Sequence, residues 1–167
     1  MKRITFALIW TSRLATGVAF FVLMAAVVIQ VLGRSAFVDS PVWTEELTRF
    51  ALLFLAAFGA GLSYRNGDLV NVDIVSEALP GNWPWRLRLV SSVATALLCL
   101  ILLAPAWTYT AIGALQTSPA LGWRMDFIHG SVFVLLVSLL IFSLSRATLM
   151  LFGQSDGRPD IPAGDAQ

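Results

Sequence analysis

Four long stretches without a single Asp, Glu, Lys or Arg limit the fold of this chain more than any motif does. Leu14–Gly33 is uncharged for 20 residues, Phe50–Tyr64 for 15, Leu89–Trp123 for 35 and Phe127–Ser145 for 19. A helix needs about 20 mostly apolar residues to cross the hydrocarbon core of a bilayer. Inside lipid every backbone polar group must be satisfied within the structure, which selects helices. Charged residues make up 13% of the 167 residues, where a soluble domain carries about 25%. Such a chain cannot cover a water-facing surface in the usual way. The expected fold is therefore all-α and membrane-embedded, with four transmembrane helices.

The expected spans are about 14–33, 46–64, 89–110 and 127–145, within one domain over residues 1–152. The second run is short and reaches spanning length only if its helix begins near Glu46. The third is too long for one span. Its dense part crosses, with a bend expected at Pro105, and IGALQTSPALGW carries the Gly, Pro and Ser of a surface loop. The first run follows a basic start, MKR, but exceeds the roughly 7–15 residues of a signal-peptide core. It is read as an uncleaved span. The tail from Gly153, GQSDGRPDIPAGDAQ, is polar and rich in Pro and Gly, and is expected to be disordered.

Orientation follows the basic residues of the short loops. Placing the N-terminus in the cytoplasm puts eight inside: Lys2, Arg3, Arg13, Arg65, Arg86, Arg88, Arg146 and Arg158. Three, Arg34, Arg49 and Arg124, lie outside. Both termini are thus expected inside.

The polar segments between the runs read as boundary structures. In WTEELTRF (43–50), Ser40 can cap a helix that has Pro41 at its first position. At 100° per residue Trp43, Leu47 and Phe50 share a sector opposite Glu45, Glu46 and Arg49. The expectation is an amphipathic helix in the membrane plane, turning into the second span. Glu45 and Glu46 are spaced to pair with Arg49 at i,i+4 and i,i+3. A carboxylate at the bilayer centre costs about 2.5–3.5 kcal/mol, while each Leu, Ile, Phe or Val returns only about 0.3–0.6 kcal/mol. The two acids therefore belong at the edge, paired with Arg49 or with a cation of another subunit. Direct participation in ion or proton movement is the weaker alternative.

The segment after the second span, YRNGDLVNVDIVSEALPGNWPWRLR, is similar in kind. Asp68 can cap a second in-plane helix. Val72, Val75, Ala78 and Leu79 share one face of it, opposite Asp73 and Glu77, and Pro80-Gly81 ends it. Trp83 and Trp85, followed by Arg86 and Arg88, resemble an interfacial belt with inner-side charges. Within the second span Ala56/Ala60, Ala57/Gly61 and Gly59/Ser63 are small residues at i,i+4, which lets helices approach closely. That stripe fits either packing within the chain or packing on another protein.

Several functions are excluded or disfavoured. A net charge of +1 without a basic block gives nucleic acid no footprint. One cysteine, Cys99, and one histidine, His129, do not make a disulfide, a bis-histidine haem site or a plausible zinc site. Cys99 reads as a small buried apolar side chain. His129 reads as a satisfied interfacial residue, and Asp126 as a partner of Arg124. No Ser/His/Asp or Cys/His set, phosphate-cradling loop or metal cluster is legible, so no enzyme activity, cofactor or metal is expected.

GRSAF followed by WTEELTRF, then FGAGLSYRNGDLVNVDIV and SPALGWRMDF before a last span, resembles the small, DctQ-type permease subunit of tripartite ATP-independent periplasmic (TRAP) transporters. The resemblance runs from Gly33 to about Gly130 and rests on Arg34, Trp43, Glu45, Glu46, Arg49, Gly59, Arg65, Asp73 and Gly122. Many relatives carry a histidine near the position of Asp68, which this chain lacks.

The resemblance implies a bacterial inner-membrane subunit of a sodium-coupled transporter for organic anions. Its partners would be a large permease subunit and a periplasmic substrate-binding protein. The small subunit would pack on and widen the large subunit's scaffold and help dock the binding protein. Arg34, Trp43, Glu45, Glu46, Arg49, Gly59, Gly61, Arg65 and Asp73 become candidate subunit-contact or interfacial residues. The competing possibility is a stand-alone four-span exporter working as a homodimer. That would want a membrane-embedded carboxylate in the first span, and Leu14–Gly33 offers only Gln30.

Overall fold

The computed structural model describes residues 2–35, 41–66 and 81–153. They form four helices: α1 (Lys2–Ser35), α2 (Val42–Asn66), α3 (Trp83–Gly113) and α4 (Met125–Leu151). All four are long and apolar enough to cross a membrane. Each helix outruns its expected span by several residues, because hydrogen bonding along a helix does not stop where the hydrocarbon does. α3 runs on through Pro105 without interruption.

Three helix pairs bring their backbones close: α1 with α2, α2 with α4, and α4 with α3. The helices therefore stand in a row, α1–α2–α4–α3, rather than around a common axis. α1 and α2 run antiparallel, with Arg34 beside Glu45 and Thr16 beside Gly59. α2 and α4 run parallel. Phe54 meets Phe127 at 5.2 Å between ring centroids, and further along the Arg146 guanidinium lies 5.6 Å from the Tyr64 ring. α3 and α4 run antiparallel, with Tyr109 stacked on His129 at 4.0 Å and Trp107 edge-on to Phe133 at 5.8 Å.

Small side chains make these approaches possible, as expected where lipid supplies no hydrophobic drive between helices. Ala19, Ala26, Ala51, Ala57, Ala96, Ala106 and Ala147 are buried. Cys99, Ala106 and Leu136 form a core cluster between α3 and α4, with Leu103, Phe133 and Leu139 packed around it. Cys99 is thus the small buried apolar residue expected. Buried Ser92 and Ser143 donate to carbonyls of their own helices, Arg88 and Leu140, which satisfies their hydroxyl protons locally.

The three small-residue pairs of α2 divide their work. Gly61 is buried at α4, where an added Cβ would lie 2.5 Å from Phe142 Cδ2 and still closer to Ser138 Oγ. Gly59 faces α1, with its nearest atom, a Thr16 methyl, 3.9 Å from an added Cβ. Ala56 is exposed.

Two expectations change. Residues 43–49 are the opening turns of α2, continuous with the spanning run, so a separate in-plane helix between the first two spans is not shown. The polar turns are held in line because their acids find partners on α1 and on the α3–α4 loop. The second in-plane helix, with Asp68, Asp73 and Glu77, lies outside the described residues, as do Ser40 and the tail beyond Gly153. Arg88, expected among the water-facing charges after the tryptophans, is instead buried at 7% exposure. Its position four residues before Ser92 turns it inward with the Ser92 face. The Arg86 guanidinium lies 5.9 Å from the Trp83 ring.

Candidate functional site

The polar residues of α2 gather at its two ends. At the first end Pro41 precedes the helix, and its carbonyl accepts from Thr44 N at 3.0 Å and Thr44 Oγ1 at 2.7 Å. That start sets Glu45 and Glu46 on neighbouring sides of the first turns, 100° apart. They reach different neighbours. Glu45 Oε1 accepts from Arg34 Nη2 of α1 at 3.1 Å, an exposed ion pair. Glu46 turns toward the α3–α4 loop.

That loop, residues 114–124, is closed by its own backbone. Ser118 N donates to Trp123 O at 2.8 Å, Gly122 N to Ser118 O at 3.0 Å and Met125 N to Gln116 O at 3.0 Å. The turn needs Gly122 at φ +65°, a conformation that side chains with a Cβ rarely adopt. So folded, the loop points its donors at Glu46. Ala120 N lies 3.2 Å from both carboxylate oxygens, and Leu121 N lies 3.1 Å from Oε2. Ser118 Oγ, buried at 3% exposure, donates to the same Oε2. An ionised carboxylate only accepts and offers about four lone-pair sites. Two backbone N–H groups and a hydroxyl are a matched set of donors, a small anion-binding nest. The arrangement fastens α2 to the loop joining α3 and α4.

At the other end Tyr64, buried at 3%, donates through its phenol to Ser92 Oγ of α3 at 3.2 Å. Ser92 in turn donates to Arg88 O at 2.9 Å. The Tyr64 clasp connects α2 to α3, and the Glu46 clasp connects α2 to the loop that follows α3, although the backbones of α2 and α3 do not come close.

The other sequence candidates fall into place around this frame. Neither acid is hydrogen-bonded to Arg49 among the described residues: Glu45 pairs with Arg34 and Glu46 with the loop nest, while the Arg49 charge still favours the ionised Glu46. The cause is geometric: a neighbouring helix and a ring of backbone donors lie closer to the acids. Arg49 and Trp43 are exposed. Gly59 and Gly61 are engaged by α1 and α4 as described, and Arg65 lies in the last turn of α2. Asp73 is outside the described residues. Arg124 does pair with Asp126, at 2.6 Å. His129 is partly buried under Tyr109 with Nδ1 3.3 Å from the Tyr109 carbonyl, and Gly113 leaves room for it, since a Cβ there would sit 2.5 Å from Nδ1.

Tyr64, Ser92, Ser118, Ala120 and Leu121 were not singled out by the sequence. The Gly and Pro of the 112–123 segment announce a turn, but nothing local announces that its amides face Glu46, more than 70 residues earlier. Among the described residues no three His, Cys, Asp or Glu side chains cluster as metal ligands would.

Four spanning helices in a row, tied at both ends by structural polar contacts, define a multi-pass helical membrane protein built for packing. The chain belongs to the DctQ family, the DctQ component of tripartite ATP-independent periplasmic transporters, whose model matches residues 23–152. It is thus a small TRAP-transporter subunit, from a family of transporter components rather than enzymes. A comparison with curated proteins found no match.

Proposed function

We propose that the chain is the small integral-membrane subunit of a sodium-coupled secondary transporter for organic anions in a bacterial inner membrane, with both termini cytoplasmic. In this role it packs on the scaffold of the large permease subunit, widens that scaffold in the bilayer and helps dock the periplasmic binding protein. The observation that carries the proposal is the row of helices. A closed bundle buries most of its apolar surface on itself. Here no more than 33% of the apolar window of any helix is buried, and only 11% in α1. A row of four helices about 8–10 Å apart is a broad, thin wall. Fixed along one side of a partner, such a wall resists being dragged when a neighbouring domain slides.

The exposed line Arg49, Leu52 and Ala56 on α2 is the face we assign to the large subunit, with Trp43 at its rim. Arg34, Glu45, Glu46 and the 118–121 loop form the end we assign to the binding protein.

The test is co-expression. The chain is produced alone and with its large partner, and recovery after detergent extraction is compared. Stable recovery only with the partner supports the assignment. Uptake or efflux by this chain alone in liposomes contradicts it and favours the homodimeric exporter.

A further inference from the structure

An apolar groove of about 560 Å³ runs between α1 and the start of α4, over α2. Leu14 and Val18 form one wall, Phe50, Phe54 and Phe58 its floor, and Phe127 the other wall. At its α4 end the groove adjoins a second hollow, and the two share Trp123 and Phe127. The second hollow is different in kind: Arg124 and Asp126 line it, beside Thr110. An oily channel thus meets a rim carrying one cation and one anion.

We propose that this pair of hollows binds a zwitterionic phospholipid with a primary ammonium headgroup, a phosphatidylethanolamine. One acyl chain lies in the groove and the headgroup sits at the rim. The walls favour a chain over a protein helix. Close helix packing in membranes uses small residues, and those of α2 are engaged within the chain at Gly61 and Gly59. Ala19 and Ala51, which also line the groove, are buried, and around them it offers bulky Leu, Val, Phe and Trp side chains with a gap between them, which suits a flexible alkyl chain. The rim matches the headgroup in charge. Arg124 Nη2 and Asp126 Oδ2 pair at 2.6 Å, and the Arg124 side chain is 66% exposed. Its remaining donors can take phosphate oxygens. Asp126 also accepts from Phe127 N through Oδ1 at 2.9 Å, and the lone-pair sites left over suit an N–H donor. A trimethylammonium group has no such donor, and a glycerol headgroup offers Asp126 only neutral hydroxyl donors, which bond a carboxylate more weakly than an ammonium does. The proposal does not depend on the transporter assignment.

The probes are phosphatidylethanolamine, phosphatidylglycerol and phosphatidylcholine with identical acyl chains, each offered to the purified full-length protein and read by native mass spectrometry. Adducts with the ethanolamine lipid should exceed the other two by about tenfold, a difference of about 1.4 kcal/mol. Arg124→Gln and Asp126→Asn should each remove that preference. Val18→Trp should lower adducts of all three lipids, and because Val18 is itself exposed the larger ring leaves the helix packing intact. A photo-reactive phenylalanine analogue at Val18 then identifies the occupant in membranes: a phospholipid adduct supports the site. Equal binding of the three lipids, adducts insensitive to Val18→Trp, or photo-coupling of position 18 to a polypeptide would overturn it.

Discussion

Glu46 and Tyr64 lie 18 residues apart on one face of α2, five full turns, and each bonds the polypeptide on the α3 side of the row. At 1.5 Å per residue the separation is about 27 Å, close to the roughly 30 Å of the hydrocarbon core. The spacing of the polar clasps thus matches the thickness of the hydrocarbon core, and the stretch between them is packed largely through small side chains. A hydrogen bond placed at each margin fixes the rotation of α2 without placing a charge in lipid.

The Tyr64 clasp should behave as a coupled pair. Tyr64→Phe removes one hydrogen bond while Ser92 keeps its own bond to Arg88 O, at a cost of about 0.5–1.5 kcal/mol. Ser92→Ala leaves the buried phenol without its acceptor and should cost more, about 1–3 kcal/mol. The double variant should fall short of the sum, because both changes remove one contact. Denaturation of the purified protein in mixed detergent measures all three.

The two glycines of α2 should respond with opposite signs. At Gly61 a methyl group meets Phe142 Cδ2 at 2.5 Å, and overpacking of this kind costs about 1–3 kcal/mol. At Gly59 the nearest atom is 3.9 Å away, an ordinary contact. Gly59→Ala should therefore be neutral or stabilising by up to about 0.5–1 kcal/mol, through the lower backbone entropy of alanine in the unfolded chain. Thermal unfolding of the two variants beside the parent decides the sign.

The two adjacent glutamates should likewise separate. Glu46→Gln replaces one acceptor oxygen by a donor facing the Ala120 and Leu121 amides. Hydrogen exchange at those amides should speed up by about tenfold or more, as the loop opens locally. Glu45→Gln loses only an exposed ion pair with Arg34, worth about 0.2–1 kcal/mol, and should leave the same amides unchanged. Amide-resolved exchange mass spectrometry distinguishes the two.

The sequence reveals the spans and conceals their arrangement, for a physical reason. Four uncharged runs are enough to specify four helices, and the cost of a charge in lipid places Glu45 and Glu46 at a boundary. Which neighbour takes each acid is a long-range matter. The i,i+4 spacing of Glu45 and the i,i+3 spacing of Glu46 point to Arg49 or leave the acids to a cation of another subunit, yet Arg34 and the Ala120 and Leu121 amides hydrogen-bond them. Likewise the small pairs of α2 announce close packing, but only the neighbours show that Gly61 faces α4 and Gly59 faces α1. Hydropathy is nearly uniform around these helices, so their faces carry little information about order in the row. Tyr64 and Ser92 had no local signal, since each is an unremarkable residue near the end of its own span.

For the sodium-coupled transporter proposed above, sodium-to-substrate stoichiometry in proteoliposomes holding the complete complex, with Glu46→Gln against the parent, is the most direct test of Glu46 as a fastening rather than an ion carrier. The expected result is weaker assembly or slower uptake, with the number of sodium ions per substrate unchanged. A changed stoichiometry would place Glu46 in the coupling site and contradict its assignment to the loop clasp.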